Sequence, residues 1–209
     1  MRTYLLYEIA NSCSGSVKLI LKLIDSLPKE GNSGIKFQTY KYNEIALKDY
    51  EWYKVYQKTF INPQNWKKIF LHAKDKGLDV WIDVFDIYSV QIIKDNLSLI
   101  AGIKLQSSVL DNLKVLHGLS ETIKDKGVKI MFNIAGREIE NIKEKLADLK
   151  SNYFPNNEII LQAGFQGYPT DKEDLTISKV KILKSEFPDI IVSYADHVDG
   201  RSPLAFDVP

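Results

Sequence analysis

The sequence predicts an α/β protein built as a TIM-type (β/α)8 barrel, of which about seven β/α units are present. Apolar strand-like segments alternate with helical segments along the 209 residues, as parallel strands with helical crossovers require. The pattern of helix end, glycine and strand also recurs, at Lys74 to Val80 and at Lys124 to Ile130. No G-x-G-x-x-G turn follows the first strand, which disfavours an open doubly wound sheet. We therefore expect residues 1–209 to form a single, incomplete barrel domain.

The first β/α unit opens with a predicted strand at residues 4–9, where one carboxylate, Glu8, interrupts an apolar run. Ser14 and Ser16 can cap the helix that follows, and Pro28 ends it. Apolar residues at helical spacing predict this helix, and they are Val17, Ile20, Leu21, Ile24 and Leu27.

The second unit begins with a predicted strand at residues 34–39. The polar, tyrosine-rich stretch at residues 40–60 has weak periodicity, so we expect a long loop there. Asn62-Pro63 begins the next helix, because proline is favoured at the first helical position, and Gly77 ends it. A third strand is expected at residues 79–85.

The rest of the chain continues the alternation. Helices are expected at residues 89–96, 112–126, 139–149 and 176–187, and strands at 101–105, 129–134, 158–163 and 190–193. A barrel needs an eighth strand, and the sequence stops at Pro209, in the seventh loop or helix. We expect part of a longer protein, since the missing strand would expose two apolar strand edges and leave the chain alone unable to turn over substrate.

Composition narrows the choice of ligand. The 28 Lys and Arg residues nearly balance the 27 Asp and Glu residues, so the charge indicates neither nucleic acid nor an anionic membrane as partner. Cys13 is the single cysteine and can form no internal disulfide, which fits a reducing compartment. The first apolar run is too short for a signal peptide or a membrane span. A cytoplasmic protein with a small ligand is expected.

Two lysines lie inside otherwise apolar strands, Lys36 and Lys104. A buried ammonium group is costly unless an anion compensates it, so the two lysines indicate a site for phosphate or carboxylate. Alternatively, each lysine points outward or pairs with Glu8 or Asp83. Other polar residues at predicted strand ends are Asn11, Gln38, Asp86, Gln106, Ser107, Asn133, Arg137, Gln162, Gln166, Tyr168, Asp196 and His197.

The three histidines differ in their surroundings. His72 and His117 lie on predicted helices beside charged residues, and we interpret both as structural or solvent-facing. His197 follows the seventh strand, where an imidazole can bind a divalent metal or transfer a proton. No P-loop and no G-x-S-x-G turn is present, which disfavours nucleotide phosphotransferases and serine hydrolases.

Several segments, in this order, resemble the sialic acid synthase family. Tyr7-Glu8-Ile9-Ala10-Asn11 is similar to the family's E-I-G-x-N, Ile35-Lys36-Phe37-Gln38-Thr39 to V-K-F-Q-T, and Phe85-Asp86 to P-F-D. Ile103-Lys104-Leu105-Gln106-Ser107 is similar to K-I-A-S, Tyr168-Pro169-Thr170 to Y-P-T, and Ser193-Tyr194-Ala195-Asp196-His197 to Y-S-D-H. This chain has Ser12 where the family usually has histidine. It has Gln162 or Ala163 where many members have a metal-binding histidine.

The resemblance implies condensation of phosphoenolpyruvate with an N-acetylated amino sugar to a sialic or related nonulosonic acid, with release of phosphate. It also implies a divalent metal, Mn or Mg, and a homodimer for the full-length protein. The implied catalytic residues are Glu8 and His197; the substrate-binding residues are Lys36, Gln38, Lys104, Ser107, Asn133, Tyr168 and Asp196; the metal ligands are His197 and Gln162. Two alternatives stay open: a synthase for a different amino sugar, and a non-catalytic sugar-phosphate-binding barrel.

Overall fold

The computed structural model describes residues 3–28 and 31–202, and within them seven parallel strands form one sheet in sequence order. The strands are β1 (Leu5–Glu8), β2 (Ser33–Thr39), β3 (Asp79–Val84), β4 (Ile100–Leu105), β5 (Lys129–Asn133), β6 (Ile159–Ala163) and β7 (Ile191–Tyr194). Sequential parallel strands joined by helices are the barrel topology, so the predicted fold class is confirmed. In the described part of the chain, β1 and β7 are the two edges of the sheet.

Helices connect successive strands. They are α1 (Val17–Ser26), α2 (Tyr42–Ile45), α3 (Tyr53–Thr59), α4 (Pro63–Asp75), α5 (Ile87–Asp95), α6 (Leu113–Ile123), α7 (Ile139–Asp148) and α8 (Ile177–Glu186). Each predicted strand and helix is present, with bounds that differ by up to three residues. None of the helices in the described residues is long and apolar enough to cross a membrane.

The expectation of a long loop at residues 40–60 is wrong, because α2 and α3 lie there. Both helices are short, and neither has a buried residue. Aromatic contacts hold them in place instead: the Tyr42 ring packs edge-on against Tyr53 and Phe60, with centroids 5.6 and 5.8 Å apart. Helices without a buried face leave no apolar periodicity in the sequence.

Polar caps fix where several helices begin. The Ser16 hydroxyl accepts a hydrogen bond from the Leu19 amide at the start of α1, whereas Ser14 lies in the preceding turn with φ of 47°. Asn62 caps α4, with Pro63 at the first helical position as expected. Asp86 caps α5 by accepting from the Ser89 amide at 2.8 Å. Each cap stabilises its helix by about 1 kcal/mol.

The main core lies between the sheet and the helices. Outward-facing strand residues and the apolar faces of the helices are fully buried there, among them Ile35, Phe37, Ile82, Ile103, Phe132, Ile69, Phe70, Leu116 and Ile123. Side chains alternate across a strand, so the residues between them face the opposite side of the sheet. This opposite side is called the inner face below.

The inner face carries a second, small apolar cluster, called the apolar floor here, made of Leu6, Trp81, Met131 and Ile160. Trp81 Nε1 donates to Tyr4 Oη at 3.0 Å, and Tyr4 Oη donates to Asp79 at 3.0 Å. The indole lies against Gly102, where an added Cβ would be 2.5 Å from two ring carbons of Trp81. Only glycine leaves room for this ring on the neighbouring strand.

Candidate active site

A layer of polar residues lies on the inner face, further along the strands than the apolar floor. The register pairs Glu8 with Lys36, Asp83 with Lys104, and Asn133 with Gln162. Residues two apart in a strand share a face, so Asp83 lies on the same side as Trp81. The members of this polar layer are Glu8, Lys36, Asp83, Lys104, Asn133, Gln162 and Ser193.

Asp83 is the centre of the polar layer and is 0% exposed. Its Oδ2 atom lies 3.1 Å from Lys36 Nζ and 3.6 Å from Lys104 Nζ. Gln106 Nε2 donates to the same oxygen at 2.9 Å. Lys36 also forms an ion pair with Glu8. The lysines therefore pair with Glu8 and Asp83, one of the alternatives that the sequence left open, and both lysines point to the inner face.

The two lysines differ in their pKa values. Burial lowers the pKa of Lys104 to about 8, and repulsion from Lys36 contributes, although Asp83 opposes the shift. Burial also lowers the pKa of Lys36, but attraction to Asp83 and Glu8 outweighs burial and leaves that pKa above its ordinary value. Lys104 is therefore the ammonium group that gives up its proton more readily.

The amides of Asn133 and Gln162 meet beside the lysines. Asn133 Nδ2 donates to Gln162 Oε1 at 3.4 Å, and Asn133 Oδ1 accepts from the Ala135 amide at 2.8 Å. Both side chains are buried. The sequence placed these residues on separate strands, and the parallel register brings them together.

Ser107 follows β4 and is held by Arg137. Arg137 Nε donates to Ser107 Oγ at 3.3 Å, Nη2 donates to the Ser107 carbonyl at 3.2 Å, and Nη2 also contacts Asp111 at 3.1 Å. These contacts hold the Arg137 guanidinium group in place, and its positive charge lies next to the strand ends. From the sequence, Arg137 was only one of several polar residues at strand ends, and its contact with Ser107 was not predicted.

Gln38 lies on the inner face two residues beyond Lys36. Its Oε1 accepts from Asn11 Nδ2 at 3.3 Å, and Asn11 Oδ1 accepts from Tyr40 Oη at 3.0 Å. Asn11 thus orients Gln38 at the rim of the site.

His197 lies in the loop after β7, as expected. Its Nδ1 is 2.6 Å from the Phe165 carbonyl, which can only accept, so Nδ1 carries a proton and Nε2 is the nitrogen that can offer a lone pair in the neutral ring. Tyr168 is 77% exposed, and its ring lies edge-on to His197 at 6.4 Å. Asp196 is occupied in a local turn, where Oδ1 accepts from the Val198 amide at 2.9 Å.

The donor set for a metal is limited in the described residues, which contain no group of three or more His, Cys, Asp or Glu side chains that could hold an ion. The His197 tautomer nevertheless suits metal binding, because ligating histidines usually donate their other nitrogen to a carbonyl or carboxylate. With His197 and the amide oxygen of Gln162, the remaining ligands would be water and substrate.

A cavity of about 440 Å³ adjoins the ends of β5 and β6. It is lined by residues 134–136 and 163–167, together with Thr176 and Lys179. This volume suits a small ligand. Lys179 Nζ donates to the Arg137 carbonyl at 3.3 Å, which places a further ammonium group near the cavity.

Residues 23–205 match the sequence pattern of the NeuB family. The chain belongs to the NeuB family. Among the relatives is an uncharacterized protein of Methanocaldococcus jannaschii, 25% identical over 198 residues that cover 95% of this chain and 56% of that protein. The N,N'-diacetyllegionaminic acid synthase of Campylobacter jejuni is 25% identical over 216 residues, covering 95% of this chain and 62% of that enzyme. The chain thus spans little more than half the length of these relatives.

Solved structures of two other proteins share the fold. The N-acetylneuraminic acid synthetase of Leptospira borgpetersenii superposes with a TM-score of 0.80 at 19% identity, over 96% of this chain and 67% of that one. A spore coat polysaccharide biosynthesis protein E from Chromobacterium violaceum gives a TM-score of 0.81 at 20% identity, over 95% and 60%. At these identities the likeness establishes the barrel fold of the NeuB chain, and the chemistry has to be argued from its own residues.

The central role of Asp83 and its contact with Gln106 were not predicted from the sequence. Asp83 was expected only as one of the polar residues at the end of the third strand and as a possible partner of a lysine. A carboxylate within the buried segment Val80-Trp81-Ile82-Asp83-Val84 was the signal that could have found it, because an unpaired charge there would be costly.

Proposed function

We propose that this NeuB-family protein is a phosphoenolpyruvate-dependent synthase that condenses phosphoenolpyruvate with an N-acetylated amino sugar to a sialic or related nonulosonic acid. The observation that carries the proposal is the convergence of Lys36 and Lys104 on one buried point at the carboxyl ends of the strands. Membership of the NeuB family, with an N,N'-diacetyllegionaminic acid synthase among the relatives, supports the reaction class.

In this proposal the carbon C3 of phosphoenolpyruvate forms a bond to the aldehyde carbon of the open-chain sugar, water adds at C2, and phosphate leaves. Lys36 and Lys104 would hold the carboxylate and phosphate groups, and Ser107 and Asn133 would add hydrogen bonds. Fixed cationic and polar groups in a buried site lower the free energy of the charge that develops in the reaction.

Rim residues would handle the sugar. Glu8 has a 36% exposed side chain and contacts Lys36, a position suited to proton transfer at a sugar hydroxyl. Gln38, Tyr168 and Asp196 would contact the sugar. His197 and Gln162 would hold a divalent Mn or Mg ion, and such an ion polarises an aldehyde as a Lewis acid when bound.

The whole protein would act as a homodimer in the cytoplasm. The charge balance of the chain supports small ligands as its partners, rather than nucleic acid or membranes.

The test is phosphate release by the intact protein supplied with phosphoenolpyruvate, divalent metal and an N-acetylhexosamine. We expect phosphate release only when both organic substrates are present. A nine-carbon sugar acid should form in an amount equal to the phosphate released, and mass spectrometry would detect it. Sugar-independent release, or none with any N-acetylhexosamine, would contradict the proposal.

A second candidate is a non-catalytic sugar-phosphate-binding barrel. The observation that favours it is the charge balance of the polar layer, where two lysines already face two carboxylates, Glu8 and Asp83. Phosphoenolpyruvate binding without turnover in the intact protein would support this candidate.

A further inference from the structure

We propose that Asp83 is a specificity-determining residue, because its carboxylate occupies the position between Lys36 and Lys104 that an anionic ligand would take. The inference rests on the proposed function, in which that position binds phosphoenolpyruvate. It goes further by assigning Asp83 as an internal anion that competes with the ligand and sets how strongly the site binds negative charge.

The contacts of Asp83 are those that a ligand anion would receive. A single oxygen, Oδ2, has Lys36 Nζ at 3.1 Å, Lys104 Nζ at 3.6 Å and Gln106 Nε2 at 2.9 Å. Two ammonium groups and an amide around one oxygen form an anion cradle of the kind that binds carboxylate or phosphate. The cradle is therefore filled by the protein's own side chain.

Burial makes this competition strong. Asp83 is 0% exposed and each lysine is 3% exposed, so little water screens the charges among them. Glu8 also contacts Lys36, but its side chain is 36% exposed and its charge is better screened. An external anion that reaches the lysines therefore meets one unscreened negative charge, that of Asp83.

The electrostatic cost of placing a ligand beside the Asp83 carboxylate has to grow with the negative charge of the ligand. Pyruvate and phosphoenolpyruvate share a carboxylate, and the phosphate of the second adds further negative charge. Removing the charge of Asp83 should therefore strengthen phosphoenolpyruvate binding by roughly tenfold or more, and pyruvate binding by less. A purely structural role of Asp83 would not order the two ligands by charge.

The experiment is calorimetric titration of the intact protein at pH 6.5 with phosphoenolpyruvate and with pyruvate. Asp83→Asn removes the charge and keeps the shape of the side chain. Asp79→Asn is the matched control, because it makes the same change at the opposite end of β3, where Asp79 contacts Tyr4 and Lys74 rather than the cradle. We expect tighter, charge-ordered binding in Asp83→Asn and parental affinities in Asp79→Asn.

Equal affinities in parent and Asp83→Asn, or weaker binding in Asp83→Asn, would overturn the inference while phosphoenolpyruvate binding by the parent upholds the proposed site. Failure of both proteins to bind phosphoenolpyruvate would overturn both proposals.

Folding of the variant is checked by circular dichroism, and Asp83→Ser is the second variant. If either variant folds only when phosphoenolpyruvate is added, the ligand has replaced the carboxylate, which supports the inference. If neither folds at any ligand concentration, Asp83 is a counter-ion that no ligand replaces, and the inference is wrong.

Discussion

The contact between Gly102 and Trp81 predicts a large loss of stability for Gly102→Ala. The added Cβ would lie 2.5 Å from Cε3 and Cζ3 and 2.6 Å from Cη2 of the indole. Ordinary carbon contacts begin near 3.5 Å, so the ring or β4 has to move by about 1 Å. Trp81 is 2% exposed and hydrogen-bonded to Tyr4, which leaves it little room to move.

The magnitude follows from these contacts. Overpacking a buried site costs about 1–3 kcal/mol, and weakening the Trp81 to Tyr4 hydrogen bond costs about 1 kcal/mol more. We expect the free energy of unfolding to fall by about 3 kcal/mol. For a chain of this size, that lowers the melting temperature by about 6–12 °C.

The assay is urea denaturation followed by circular dichroism, with Gly31→Ala as the control. Gly31 has open space around it, and Gly31→Ala should change the free energy of unfolding by less than about 0.5 kcal/mol. The double variant Gly102→Ala with Trp81→Leu should lose less than the sum of the single variants, because the smaller side chain makes room for the methyl group. Parental stability of Gly102→Ala, or strict additivity, would refute this account of the apolar floor.

Further predictions concern the polar layer and the rim. The affinity for phosphoenolpyruvate should fall as the pH rises through about 8, where Lys104 loses its proton; Lys104→Met should bind at least tenfold more weakly and lose this pH dependence, measured by calorimetry. Between pH 8 and the unfolded-state pKa of a lysine, the unfolded chain binds more protons at Lys104. The contribution of Lys104 to the free energy of unfolding should therefore rise with pH in that window. Urea denaturation of the parent and of Lys104→Met at several pH values would show this as a growing difference. His197→Ala should abolish metal-dependent turnover in the intact protein and leave phosphoenolpyruvate binding intact; unchanged metal-dependent activity would refute its role as ligand.

The sequence predicted the barrel because the central strands, β2 to β6, are largely buried on both faces and therefore appear as nearly continuous apolar runs. The prediction failed at residues 40–60, where α2 and α3 depend on ring contacts such as that of Tyr42 with Tyr53. These two residues lie in different helices, so their contact follows no helical spacing. Tertiary contacts of this kind leave no local pattern.

The candidate site was predictable residue by residue but not as an arrangement. Lys36 and Lys104 stand out as charges in apolar strands, yet their shared partner depends on the register that sets Asp83 beside Lys104. Register arises from packing along whole strands, so it cannot be deduced from one residue type. The Nδ1 contact of His197 likewise depends on a loop from another strand.

The packing of Trp81 gives the protein an internal fluorophore next to the site. Trp81 is the register partner of Lys36, whereas Trp66 lies in the outer core and Trp52 is 53% exposed. A water-soluble quencher would reach Trp52 first and leave the two buried indoles emitting. Of these two, Trp81 alone lies beside the charged layer, so the emission of a Trp52→Phe and Trp66→Phe double variant would report charge changes around Lys36 without any added dye.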